Sequence, residues 1–265
     1  MEIGNKGVLI GVGTLACAAI GIGFYFMRPL APPEAPAPAE TSAPVTARRE
    51  PPAIPAIPLP SLDQSDGFLR EKAASISSPP AGWLKTDNLL RRLTAAASIV
   101  AAGDSPRESL GFLKPRGKFS VKTLHGRVFL NPRSYARYDA MANAVGSLDA
   151  PAAAKLILHL KPLFETACAE LDDQNCDFQA ALIKSAQELL RAPLVTGDIQ
   201  LREKIISYAM ADAKLERLSA AQKHLLRMGP RNAAKIQGKL RELALALGTP
   251  AASLPDPETI VLPAR

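Results

Sequence analysis

The sequence predicts a mainly α fold with a small antiparallel β-sheet (α+β), carried on a single N-terminal transmembrane helix. Three observations support this. Residues 8–27, VLIGVGTLACAAIGIGFYFM, run for 20 positions without a charge. Residues 29–60 hold 11 of the 24 prolines of the chain. From residue 61 onward proline thins out and apolar residues recur at helical spacing. The organisation that follows is a short flank (1–7), a transmembrane helix (8–27), a Pro/Ala-rich disordered spacer (28–60), a mostly helical globular domain (61–248) and a disordered tail (249–265).

A helix over 8–27 spans roughly 30 Å, the hydrocarbon thickness of a bilayer. Lys6 precedes it and Arg28 closes it. A cleaved signal peptide needs a shorter apolar core and a small-x-small site, and the Pro-rich RPLAPPEAPAPAE that follows is a poor peptidase site. A lipid on Cys17 would be followed by polar residues, whereas AAIGIGFYFM is apolar. The run therefore reads as an uncleaved single-pass anchor, with Phe24, Tyr25 and Phe26 at its interfacial end. Gly7, Gly11, Gly13, Cys17 and Gly21 offer a weak homodimer face through small residues four apart. The short N-terminal flank and long C-terminal domain suit N-inside, C-outside insertion. The spacer lacks backbone donors at its prolines, so it forms neither helix nor sheet and extends up to ~100 Å as polyproline II.

Nearly 190 residues, 61–248, are enough for one buried core. Helical spacing predicts helices over 63–75 and 86–102, the second with Leu89, Leu90, Leu93 and Ala97 on one side. Residues 104–115 form the one long irregular stretch. Residues 118–130, KFSVKTLHGRVFL, alternate around His125-Gly126 and predict a hairpin. Asn131-Pro132 caps a helix to residue 147, and Asp149 with Pro151 caps another over 152–171, which Pro162 should kink or end. Residues 177–191 read as a helix stopped by Pro193. Residues 199–208 read as a strand for the hairpin or as a helix. Ser219 caps 220–228, Gly229 ends it, and Pro230 opens the last helix, to 247.

LPSLDQSD (59–66), NPRSYARYDA (131–140) and AQKHLLRMGPRNAAKIQGKLREL (221–243) together resemble a bacterial domain-of-unknown-function family, the one numbered three thousand and fourteen. The resemblance covers most of 59–247. It implies a proteobacterial envelope protein with one N-terminal anchor, hence an inner-membrane protein with its C-terminal domain in the periplasm. It implies no activity, and the Cys168 and Cys176 pair is not part of its pattern.

The chain carries a net charge of +7, and most of that excess sits in 219–248, where six basic residues face only Glu242. Lys223, Arg227, Arg231, Lys235 and Lys239 are spaced by four and would stack along one helical ridge. They are the candidate contact for an anionic lipid or an envelope protein partner; a solvated face opposite Leu225, Leu226, Ile236, Leu240 and Leu243 is the plainer alternative. The turn at Gly229-Pro230 partly resembles a helix-hairpin-helix element that holds DNA phosphates, although Arg227 stands where its first glycine belongs. A plain turn between packed helices is the stronger reading, and nucleic acid is the weaker partner. Tyr135, Arg137 and Tyr138 form a polar-aromatic cluster for a contact, against the alternative that the rings pack on the core. Cys168 and Cys176 flank a helix junction and are candidates for a disulfide. His125, His159 and His224 have no ligand-spaced neighbours, and no catalytic, cofactor or metal motif occurs. The function expected is a non-enzymatic, membrane-anchored envelope module. The alternatives are a DNA-binding protein and an enzyme without a sequence signature.

Overall fold

A computed structural model of the chain describes residues 59–80, 82–171 and 177–264. The expected anchor and spacer lie outside the described residues, and among those described no helix is long and apolar enough to cross a membrane. Ile57–Arg265 form one compact unit. Every buried apolar cluster is built from residues of this unit, so it carries its own core.

The fold is mainly helical with a small antiparallel sheet. Helix α1 (Ser65–Ile76) follows a 3-10 turn at Leu62–Gln64 and packs on α2 (Leu89–Ala101). The Asp66 carboxylate accepts the Asn88 and Leu89 amides, 2.7 and 2.8 Å, which satisfies the free donors at the start of α2. Leu89, Leu90 and Ala97 are buried, whereas Leu93 is 39% exposed. Strands β1 (Val121–Leu124) and β2 (Arg127–Leu130) pair through His125 and Gly126, both at positive φ, as a two-residue hairpin turn requires.

The segment after Asn131 begins as a 3-10 helix, Pro132–Tyr138, before α3 (Asp139–Gly146). Asp149 caps α4 (Ala150–His159), and the chain breaks at Leu160 before α5 (Lys161–Ala169), so Pro162 sits in a first turn where its missing donor costs nothing. Asp177 caps α6 (Phe178–Leu190), whose Phe178 ring stacks on Phe164 at 3.7 Å between centroids.

Two regions depart from the sequence reading. Residues 199–208 are not one element. Strand β3 (Leu194–Thr196) precedes β4 (Gln200–Glu203), which pairs with β2; the chain then turns at 204–207 into β5 (Tyr208–Met210). Ile205 and Ile206 lie in that turn, 103% and 95% exposed. The four-stranded order is β1-β2-β4-β5.

The second departure is the expected disordered tail. Residues 251–253 form a 3-10 turn, Leu254 is buried with Leu190 and Ala244, and β6 (Thr259–Val261) runs parallel to β3. Arg241 donates to the Pro255 carbonyl and Gln187 to the Ser253 carbonyl. At Gly197 the backbone of Leu262 passes where a side chain would begin, and φ is 87°, so only glycine fits. The remaining helices are α7 (Ala213–Glu216), α8 (Ala220–Leu226) and α9 (Pro230–Ala246). Ser219 and Gln222 cap α8 reciprocally.

Candidate functional site

The irregular stretch after α2 is ordered by its own turns. Leu110 donates to the Pro106 carbonyl at 2.9 Å and Leu113 to the Leu110 carbonyl at 2.9 Å. Phe112 packs into the first apolar cluster, which ties the loop to the body. Held this way, the loop forms one wall of a cavity of about 670 Å³. Val100 of α2, Met141 and Val145 of α3, Leu189 of α6, Leu225 of α8 and Ile236 with Leu240 of α9 supply the apolar surface. Most of these belong to the cluster around Tyr138 and Ala142, whose partly buried members Met141, Val145, Leu189 and Leu240 also line the cavity.

The polar side chains lining this space are Arg107, Lys114, Arg137, Tyr138 and His224; no acidic side chain lines it. Arg107 and Lys114 are exposed, and Arg137 and His224 are half-buried. None of the three Arg/Lys residues has a carboxylate partner among the described residues. Arg137 lies 5.9 Å from the Phe119 ring and 5.3 Å from the Tyr138 ring, and its Nη2 donates to Tyr138 Oη at 3.3 Å. Its Nε is buried without a hydrogen-bond partner. A buried, unpartnered charged donor is costly, and it marks a place where an acceptor is missing.

His224 lies with its Nδ1 3.3 Å from Ser105 Oγ and its ring edge-on to Tyr138. Burial pushes its pKa below the ordinary 6.5, and Arg227 and Arg107 push the same way. It is therefore neutral at pH 7, and the positive charge at the cavity comes from Arg and Lys alone.

The basic ridge is arranged differently. Lys223 donates to the Glu216 carbonyl and lies 3.7 Å from its carboxylate. Arg231 pairs with Asp139 of α3 at 2.9 Å. The stem of Lys235 crosses Gly146, and its Nζ donates to Asn143 at 2.7 Å. Lys239 pairs with Glu242. Acids absent from the local sequence thus arrive from α3 and α7. Burial works against the Glu216 anion, yet the Met210 amide, Lys223 and Lys204 hold its pKa below the ordinary 4.5. Arg227 is half-buried between the ridge and His224.

Tyr135 and Tyr138 have separate roles. Tyr138 is buried, whereas Tyr135 covers the Gly229-Pro230 turn so closely that a side chain at position 229 would fall inside its ring. Burial and the Asp198 charge push the Tyr135 hydroxyl pKa above 10. Asn232 clamps the two segments, donating to the Tyr135 and Met228 carbonyls and the Asp139 carboxylate at 2.9–3.1 Å. Cys168 is buried in α5 and disulfide-bonded; Cys176, the partner expected for it, lies outside the described residues.

Sequence reasoning placed Arg137 in a contact cluster but missed Arg107, Lys114 and the cavity role of His224. One signal was present: residues 104–118 form a long loop with Arg107, Lys114, Arg116 and Lys118 against two acids.

The model of a family described as protein of unknown function (DUF3014) matches residues 89–244, more than half of the chain. That span contains the cavity. No curated protein and no solved structure matches.

Proposed function

This chain belongs to the DUF3014 family, and from that premise we propose that its domain is a non-catalytic binding module that takes an anionic, largely apolar small molecule. The single observation behind this reading is the apolar cavity of about 670 Å³ whose charged lining is basic and unpaired. Cavities of this size, mostly apolar with a few polar groups, suit small ligands. The ridge on α8 and α9 is a weaker contact, because four of its five cations, Lys223, Arg231, Lys235 and Lys239, already have acceptors within the domain. A phosphate-backbone contact at Gly229 is disfavoured by the Tyr135 ring over the turn.

The module is tethered by residues 8–27 in the bacterial inner membrane, through the 28–60 spacer, with its domain in the periplasm. A disulfide at Cys168 suits an oxidising compartment, and Cys176 is the partner proposed for it. A reporter active only outside the cytoplasm, fused after Arg265, should be active, and thiol titration of the native domain should find Cys168 and Cys176 protected. Activity of a cytoplasmic reporter alone would reverse the topology.

The ligand reading is tested on the purified Ile57–Arg265 unit with an anionic naphthalene sulfonate dye. Saturable one-to-one binding that is lost when Met141→Trp fills the cavity supports it. Absence of saturable binding, or binding unaffected by Met141→Trp, overturns it.

A further inference from the structure

We propose that the cavity ligand is a single-chain amphiphile: an unbranched alkyl or acyl chain ending in a carboxylate or phosphate, with its head on Arg137. This rests on the reading that the cavity holds an anionic apolar molecule, and it adds the chemical class and the anchoring residue. The body of the ligand follows from the acceptors in the wall. Among the described residues no Asp, Glu, Asn, Gln, Ser or Thr side chain lines the cavity. The side-chain acceptors are limited to Tyr138 Oη, which already receives Arg137 Nη2, and the His224 ring. A sugar, nucleoside or peptide would bury several donors against a wall with few side-chain acceptors, which is unfavourable. A hydrocarbon body has no donors to satisfy.

The wall is also aliphatic. Met141, Val145, Leu189, Leu225, Ile236 and Leu240 offer branched and flexible surface, with the Tyr138 and His224 rings beside them. Such a wall suits a flexible chain, to which methionine adapts its shape. The head follows from Arg137. The Phe119 and Tyr138 rings hold its guanidinium in place, and its Nε donor is buried and unpartnered. A planar guanidinium can donate two parallel hydrogen bonds to the oxygens of one carboxylate or phosphate. Arg107 and Lys114, exposed along the same wall, add charge without competing carboxylates. A neutral His224 beside them leaves room for one anionic head without adding a fourth cation.

The experiment is displacement of the naphthalene sulfonate dye from the Ile57–Arg265 unit by straight-chain carboxylates and alkyl phosphates of 8 to about 16 carbons. The matching alcohols are controls, and vesicles of diacyl phosphatidic acid form a separate arm. Each added methylene should tighten binding about fourfold until the cavity is full. Alcohols should bind at least tenfold more weakly than acids of equal length. Arg137→Gln should erase that acid-over-alcohol preference yet keep the chain-length slope, and Arg137→Lys should restore part of it. Should Arg137→Gln disturb folding, the exposed pair Arg107→Gln/Lys114→Gln should still reduce the preference. Acids and alcohols binding equally, or acids showing no length dependence while the dye still binds, would overturn the amphiphile and leave the binding module standing. Capture of diacyl lipid from vesicles without binding of free single chains would also overturn it, in favour of a membrane lipid. Failure of the dye itself to bind would overturn both.

Discussion

The cavity and the ridge on α8 and α9 are both rich in arginine and lysine, and they differ in what faces the charge. Along the ridge, Lys223 lies near Glu216, Arg231 meets Asp139, Lys235 reaches Asn143 and Lys239 meets Glu242. At the cavity, Arg107, Lys114 and Arg137 meet no carboxylate, and one nitrogen of Arg137 has no partner at all. A cation with an acceptor has spent most of its attraction on the fold; a cation without one keeps it for a ligand. Periodic charge in a sequence is thus a poor guide to a binding surface, because partners arrive from distant segments. Asp139 is about ninety residues from Arg231, and Arg137 about thirty from Arg107.

The comparison breaks most sharply if the cavity cations prove dispensable. Replacing Arg107, Arg137 and Lys114 together by Gln should weaken an anionic ligand about 100-fold, with the thermal midpoint unchanged or raised, since like charges are removed. Isothermal titration and a melting curve on the same sample check it. A lowered midpoint with unchanged affinity would make these cations structural.

Asn232 joins the ridge helix to the 3-10 segment that carries Arg137. Asn232→Ala leaves three buried or half-buried acceptors without their donor. It should cost about 2 kcal/mol in denaturant unfolding and weaken ligand binding in parallel, because Arg137 sits on the clamped segment. Loss of stability without loss of affinity would separate the two regions.

Within the ridge, Lys223→Glu places like charges beside the partly exposed Glu216 and should cost about 1 kcal/mol. Arg231→Ala, at a pair 78% and 35% exposed, should cost under about 0.5 kcal/mol. Both should leave ligand affinity unchanged. A drop in affinity with either variant would return the ridge to the binding surface.

The smallest effect, a slope with pH, also distinguishes the regions. His224 has its pKa lowered from 6.5, so the unfolded chain binds more protons than the native one below that value. Its contribution is complete above about pH 6.5 and is lost as pH falls from there through the lowered native value. Asp139 is held below 3.8, first by the Asn232 hydrogen bond and then by Arg231, and Glu216 is held below 4.5. Their contribution is lost only in stronger acid, as pH falls from those ordinary values through the lowered native ones. Urea unfolding between pH 8 and 3 should show two losses. His224→Gln should remove the upper one alone, and an anionic ligand should shrink it by favouring the charged imidazole.

Much of the fold was legible because its signals are local. Asp149 and Ser219 cap helices where they were expected to, and Asn131 caps the 3-10 turn that leads into α3. His125-Gly126 turns the hairpin. The segment 199–208 was read as one element because Ile199, Leu201 and Ile205 alternate on through what is a turn at 204–207. The tail was misread because its fixed points, Leu254 and the β6 pairing, have partners about sixty-five residues away in Leu190 and β3. Of the candidate site, Arg137 was legible as part of a polar-aromatic cluster; its unpartnered nitrogen was not.

What the sequence by itself determined is the uncharged run at 8–27, the Pro/Ala-rich composition of 29–60, the helical character of the domain and the positions of most caps. Each depends on residues within one or two turns of one another. Which cations have partners, which loop walls a cavity and whether the C-terminal segment is held were decided only by tertiary structure. Hydrogen bonds and ion pairs act over a few ångströms in space without regard to separation along the chain. A sequence shows how many charges there are and how they are spaced; only the folded chain shows which of them are neutralised.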